Sequence, residues 1–253
     1  MRRIPIRIVY EDQSIIVIEK DEGLLSVGTA RGKEEMTAHS LLNNYIRNTS
    51  NRGWNRHSAP RIYIVHRLDR ETSGLMVFAK SEEIKRIMQE NWDSIVTERK
   101  YVAVANGIPF MENDGEALPL GCYRSWLKEN SAYVVYSSLK DNGGQLAITN
   151  YKTLEYNTKK NKSLIELELE TGRKNQIRVH MQEMGCPIWG DKKYYGGNEA
   201  VLQENKKAGR LFLHAYTLNF HHPITGKLMK FTTGIPNRFK LAVFRDNKKS
   251  DPK

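Results

Sequence analysis

The chain has 253 residues, 39% of them hydrophobic, and its 40 Lys and Arg against 29 Asp and Glu leave a formal charge of +11. Two cysteines, Cys122 and Cys186, make neither a disulfide framework nor a zinc site, and they fit a reducing cytoplasm. Apolar runs such as residues 75–79 are too short to cross a bilayer, and Ile4-Pro5-Ile6 is too short for a signal-peptide core.

The length suits one domain or two small ones, with enough material for a substantial core. The positive excess favours a polyanionic partner through counterion release, against the bland alternative of a basic but inert surface. Much of it lies in Lys159-Lys160-Asn161-Lys162, in Lys206-Lys207 and in residues 246–253. The first is expected to be a solvated hairpin loop and the last a disordered, charged tail.

In chain order, residues 6–10 and 15–18 read as strands around the turn Glu11-Asp12-Gln13-Ser14. Asp21-Glu22-Gly23 makes the next turn. Thr37 suits a helix N-cap, with Leu41, Leu42, Tyr45 and Ile46 as an apolar stripe. Residues 48–60 read as a polar loop. Residues 62–65 and 75–79 are apolar runs with buried-strand character, on either side of a charged loop. Ser81 caps a helix with Glu82 and Glu83 in its first turn and Ile84, Ile87, Met88 and Trp92 inward. Residues 100–105 return to strand character, while 110–120 and 137–146 are turn-rich. From 163 to 170, Ile165, Leu167 and Leu169 alternate with Glu166, Glu168 and Glu170, a half-exposed strand. Thr171-Gly172 breaks it, and a helix follows to about Met184, ended by Gly185 and Pro187. Residues 211–220 and 228–232 are late strands. There is no repeat and no βαβ alternation. Strands outnumber helices, which predicts an α+β fold on a mixed, mainly antiparallel sheet.

Two strings carry chemistry. In Val65-His66-Arg67-Leu68-Asp69-Arg70-Glu71-Thr72-Ser73-Gly74 one carboxylate, Asp69, stands between two arginines. A carboxylate with cationic neighbours stays ionised even where water is scarce, which describes a nucleophile or base that needs no metal. Thr72, Ser73 and Gly74 suit tight backbone and close approach. The second string is Thr171-Gly172-Arg173-Lys174-Asn175-Gln176-Ile177-Arg178-Val179-His180-Met181. At 100° per residue, Ile177, Met181 and Met184 form an apolar face, Arg173 and His180 border it, and Arg178 points about 100° from Ile177. Its plain reading is an amphipathic helix with solvated arginines; its chemical reading is a phosphate or carboxylate site.

The first string resembles the HRLDxxTSG signature of the RluA-type pseudouridine synthases. The second resembles that family's GRxHQIRVH signature, with Asn175 in place of the usual His. Val9-Tyr10-Glu11-Asp12, Lys100-Tyr101, Gly190-Asp191 with Tyr194, Leu213-His214-Ala215 and His222-Pro223 occur in the family's order, so the resemblance spans residues 7–236. It departs at Lys20-Asp21-Glu22-Gly23, where the family commonly has Lys-Pro-x-Gly.

The resemblance implies a single catalytic domain over 1–245, with a central RNA-binding cleft and no preceding S4 module. It implies isomerisation of uridine to pseudouridine in ribosomal or transfer RNA, without cofactor or metal. Asp69 is then the catalytic carboxylate, Arg178 its partner and Tyr101 the residue that stacks on the flipped base. Arg67 fills the gap in the RNA stack, and His66 shapes the loop. Arg70, Thr72, Arg173, Gln176 and His180 complete the loop and RNA-facing set. A cytoplasmic monomer is the default.

Competing readings are an RNA-binding or RNA-folding factor on the same scaffold without catalysis, a metal-dependent nuclease built on His214, His221 and His222, and a DNA-directed protein. Intact Asp69, Tyr101 and Arg178 weigh against the first. The spacing of the histidines fits no ligand pattern, which weighs against the second. Ribose 2′-OH contacts and unpaired loops make RNA the preferred ligand over DNA.

Overall fold

Local capping signals locate two helices. Ser81 accepts from the Ile84 N–H at 3.2 Å, and Thr37 Oγ1 accepts from the Ser40 N–H at 3.0 Å. The computed structural model describes residues 5–28, 35–49, 61–109 and 119–244. The polar loop expected at 48–60 lies outside the described residues from position 50 on. So do residues 110–118 of the turn-rich stretch and the whole of the charged tail at 246–253.

The chain runs through β1 (Ile6–Glu11), β2 (Ile15–Lys20), α1 (Ala38–Thr49), β3 (Tyr63–Ile64) and β4 (Ser73–Ala79). Next come α2 (Glu82–Glu90), α3 (Trp92–Ile95), β5 (Val96–Asn106), β6 (Leu120–Glu129) and β7 (Val135–Ser138). Then follow β8 (Gln145–Asn157), β9 (Lys162–Leu169), α4 (Gln176–Glu183) and α5 (Glu199–Lys207). The last are β10 (Leu213–His221), β11 (Leu228–Thr232) and α6 (Asn237–Phe244). The α+β expectation holds. The chain forms two compact units, residues 1–100 with 214–233, and residues 101–213 with 234–253.

In the first unit, β2 pairs antiparallel with β1 and β4, β3 pairs antiparallel with β4, and β11 with β10. β4 and β10 run parallel, with His214 opposite Ser73 and Ala215 opposite Gly74. Ile15, Val17, Leu75, Val77, Leu218 and Phe220 meet Ile84 and Met88 of α2 in one core. β4 is buried along its whole length, as its continuous apolar run requires. Its neighbour β3 is shorter than the apolar run at 62–65 suggested.

In the second unit, β8 pairs antiparallel with β6 and β9, and β6 with β7. Ile165 and Leu167 of β9 pack on Ile177, Met181 and Met184 of α4. Two expectations change here. Lys162 is not in a solvated loop. It is the first residue of β9, buried, with its ammonium on Asn106 Oδ1 at 2.8 Å and 4.7 Å from the Trp189 ring centre. Burial pushes its pKa down.

The second change concerns α4, which begins only at Gln176, after Asn175 in the left-handed region at φ 53°. Arg173 therefore stands before the helix, exposed, with Nε donating to Leu146 O at 2.9 Å. From Gln176 to Met181 every residue of α4 is buried, Arg178 included, so the helix is not amphipathic in the expected way.

Candidate active site

In the first unit, the residues on both sides of Asp69 are stapled to the rest of the fold. Ser26 Oγ donates to Leu68 O at 2.7 Å and accepts from Leu68 N at 3.1 Å. On the far side, Arg70 O accepts from Gly23 N at 2.8 Å and from Lys20 Nζ at 3.2 Å. Lys20 is fully buried, and its ammonium also donates to Asp21 O at 3.0 Å and Leu24 O at 2.8 Å. Three carbonyls satisfy the donors of an ammonium that burial would otherwise penalise. The turn places Gly23 at φ +81°, with Asp21 standing where the family commonly has proline. Arg70 Nε returns to Gly23 O at 3.1 Å. Within the loop, Thr72 is buried and its N–H donates to Asp69 O at 3.2 Å. Asp69 itself is partly exposed, and Arg67 and Arg70 are exposed.

The Ser73–Gly74 end of the loop shows why small residues stand there. Ser73 Oγ lies 2.8 Å from His214 Nδ1, whose Nε2 reaches Thr233 Oγ1 at 2.8 Å. A Cβ on Gly74 would sit 2.2 Å from Ala215 O. His222 pairs with Asp12 at 3.0 Å, and His221 contacts Gly226 O at 3.0 Å. The three histidines of the nuclease reading thus have separate partners.

His66 is held by structure. Its Nε2 accepts from the Val77 N–H at 3.1 Å, and its ring leans on Trp92 with centroids 4.9 Å apart. Burial first, then the Arg99 charge, brings its pKa down to about 3.

In the second unit, Arg178 is gripped bidentately by Asp191. Its Nε donates to Oδ2 at 2.7 Å and Nη2 to Oδ1 at 2.9 Å. Asp191 is 1% exposed, and its Oδ1 also accepts from Lys193 N and Tyr194 N, each at 2.9 Å. The Arg178 guanidinium lies 5.0 Å from the Tyr194 ring centre. Asn205 of α5 secures this turn, accepting from Gly190 N at 3.0 Å and donating to Asp191 O at 2.7 Å. The grip of Asp191 on Arg178 was not read from sequence. The signal was the Gly190-Asp191 pair, but a partner thirteen residues away needs the intervening turn to be known.

Gln176 and His180 face inward from α4. Gln176 Nε2 donates to Ile148 O and Thr149 Oγ1, both at 2.9 Å, and Oε1 accepts from Thr171 Oγ1 at 2.8 Å and Arg173 N at 3.0 Å. His180 lies between Thr149 Oγ1 at 2.8 Å and Ser125 Oγ at 3.0 Å. This satisfied network lets polar residues occupy a buried helix face. Tyr101, partly buried, packs against the same core as Ile177 and Met181.

Burial lowers the His180 pKa to about 4. Both His66 and His180 are therefore neutral in the folded protein, while the unfolded chain takes up protons near pH 6.5. Their stabilisation is complete above that pH and is lost as pH falls toward about 4 and about 3. Each should remove about 1.4 kcal/mol of stability per pH unit in that window. Urea melts at pH 7.5, 6 and 5 check this. His180→Gln should be less stable at pH 7.5 yet lose stability more gently on acidification. An unchanged slope would contradict the assignment.

The α+β scaffold thus carries a stapled carboxylate loop in one unit and a buried arginine helix in the other. The sequence model for RNA pseudouridylate synthases matches residues 14–183. Ribosomal large subunit pseudouridine synthase D of Zymomonas mobilis is 33% identical over 240 residues, covering 94% of this chain and 72% of that protein. An uncharacterized RNA pseudouridine synthase of Bacillus subtilis is 32% identical, covering 92% and 70%. Among solved structures, human RNA pseudouridylate synthase domain containing 4 shares the fold, with TM-score 0.70 and 24% identity over 94% of this chain and 92% of that one. The chain belongs to the RNA pseudouridylate synthase family. Its reaction class is that of an isomerase, converting uridine to pseudouridine in RNA.

Proposed function

We propose that this enzyme isomerises a specific uridine of ribosomal RNA, with transfer RNA as the second candidate, by an aspartate-dependent route that uses no cofactor. The observation that carries it is the doubly stapled Asp69 loop. A carboxylate that must meet one sugar carbon benefits from a backbone that cannot drift. Ribosomal RNA is favoured because relatives that match nearly the whole chain carry ribosomal large subunit names.

In this reading the bond between the base nitrogen and the ribose carbon breaks, the base turns, and a ring carbon bonds to the same ribose carbon. The proton released from that ring carbon is balanced by one gained at nitrogen, so neither redox chemistry nor net hydrolysis occurs. Asp69 either forms a covalent adduct with the ribose carbon that the ring carbon then displaces, or removes a sugar proton after cleavage and returns it when the new carbon bond forms. Arg178 keeps the carboxylate charged and oriented, and Tyr101 stacks on the extruded base. Extrusion costs a few kcal/mol, least in a loop, and Arg67 offers a planar guanidinium for the vacated place in the stack. His66, Thr72, Gln176 and His180 position these groups, while Arg70 and Arg173 remain available to RNA. Residues 1–245 act as one catalytic domain, in a cytoplasmic monomer.

The test is a pseudouridine map of total RNA from cells with and without the gene. One or a few ribosomal RNA positions should lose the modification on deletion and regain it on complementation. A transfer RNA position lost instead would move the target. No lost position would overturn the reading.

A further inference from the structure

Tyr133, at the turn between β6 and β7, is 58% exposed and stands in the left-handed region at φ 59°. A side chain there is disfavoured, and such a conformation persists only where its surroundings over-determine it. They do so here. Asn130 Oδ1 accepts from Ala132 N at 3.0 Å and Val134 N at 2.9 Å, and Asn130 O accepts from Tyr133 N at 2.9 Å. Lys193 Nζ donates to Tyr133 O at 2.7 Å. The result is an aromatic ring presented to solvent on a fixed backbone.

Cations flank it. Lys174 Nζ lies 5.5 Å from the ring centre and also pairs with Glu129. The hairpin is moored to the arginine site of the same unit. Tyr194 Oη accepts from Val135 N at 3.0 Å and donates to Asn175 Oδ1 at 3.1 Å. The Tyr194 ring has the Arg178 guanidinium 5.0 Å and the Lys193 ammonium 5.4 Å from its centre. Tyr133, Lys174, Lys193 and Arg178 are therefore tied together around one buried tyrosine.

We propose that this hairpin tip is a stacking platform for an unpaired RNA base flanking the target uridine, with Lys174 and Lys193 taking the adjoining phosphates. The inference rests on the RNA synthase reading and deepens it. An exposed π-face beside ammonium groups matches a nucleotide, which offers a ring and an anion together. A protein partner would want an apolar surround, whereas the ring's exposed neighbours in the turn are Asn130, Ser131 and Ala132.

The experiment compares full-length wild type with Tyr133→Ala, Tyr133→Leu and Tyr133→Phe. Affinity is measured for a single-stranded oligouridine and a fully paired RNA duplex, and kcat and KM on transcribed ribosomal RNA. The Ala and Leu variants should bind oligouridine about tenfold more weakly and raise KM by a similar factor. Duplex affinity, kcat and melting temperature should not move, and Phe should behave as wild type. All four side chains share the same backbone requirement, so folding is not in play. Oligouridine affinity unchanged in the Ala variant, or retained by Leu, would overturn the platform. If wild type forms pseudouridine and only the Tyr133 dependence is missing, the platform falls alone. If the dependence is present but no RNA is modified, the platform stands and the enzymatic reading falls.

Discussion

Asp69→Asn should abolish pseudouridine formation while leaving the fold and RNA binding in place. The substitution keeps size and shape and removes only the charge, which the proposed route needs whether Asp69 acts as nucleophile or as base. Removing a group of this kind costs a factor of a thousand or more in rate. RNA affinity should change by less than about threefold, since phosphate contacts dominate it and Asp69 supplies none. The same measurement separates the enzyme from a binding or folding factor built on this scaffold. A factor would lose nothing that matters to it, and an Asn variant that modified RNA at the wild-type rate would remove Asp69 from the mechanism.

Gly74→Ala should destabilise the protein by about 4 kcal/mol or more, at the far end of single-residue effects. A Cβ there would meet Ala215 O, N and C at 2.2, 2.6 and 2.7 Å, and all three are backbone atoms. No side chain can swing aside to relieve the contact. Residue 74 also has φ +125°, outside the range of an L side chain. The only relief is to part β4 from β10, which breaks the pairing of Ser73 with His214 and loosens the end of the Asp69 loop. Total stability is about 5–15 kcal/mol, so a drop of about 10 °C in melting temperature, or loss of soluble protein, is expected. Gly28→Ala is the matched control, because no atom of the described residues lies within 4 Å of its Cβ position and its φ is ordinary. Equal melting of the Gly74→Ala variant and wild type would show that the two strands are not so closely apposed.

The legible parts of the fold were those where one local rule dominates. Thr37 and Ser81 cap helices because a hydroxyl reaches orphan N–H groups whatever the rest of the chain does. The alternation at β9 and the apolar run of β4 likewise read directly. β6 was missed because Gly121, Arg124, Ser125 and Lys128 interrupt any period, and its place is set by pairing with β8. α5 was missed because it buries one residue, Asn205, and that residue is polar.

The candidate site divides in the same way. The Asp69 loop is contiguous, so both its chemistry and its tight end could be read in order. The start of α4 could not, because Arg173 and Lys174 are good helix formers while Asn175 turns left-handed before the helix begins. The burial of Arg178 was hidden for a related reason. An arginine is read as solvated unless its carboxylate is known, and Asp191 reaches it only through the turn that Asn205 secures.

The double grip on Arg178 also bears on how tightly any ligand can be held. An arginine free to sample its rotamers surrenders up to about 2 kcal/mol of side-chain entropy when a ligand freezes it. Here that loss falls within the folding of the protein, and the direction of the guanidinium is already chosen before any ligand arrives.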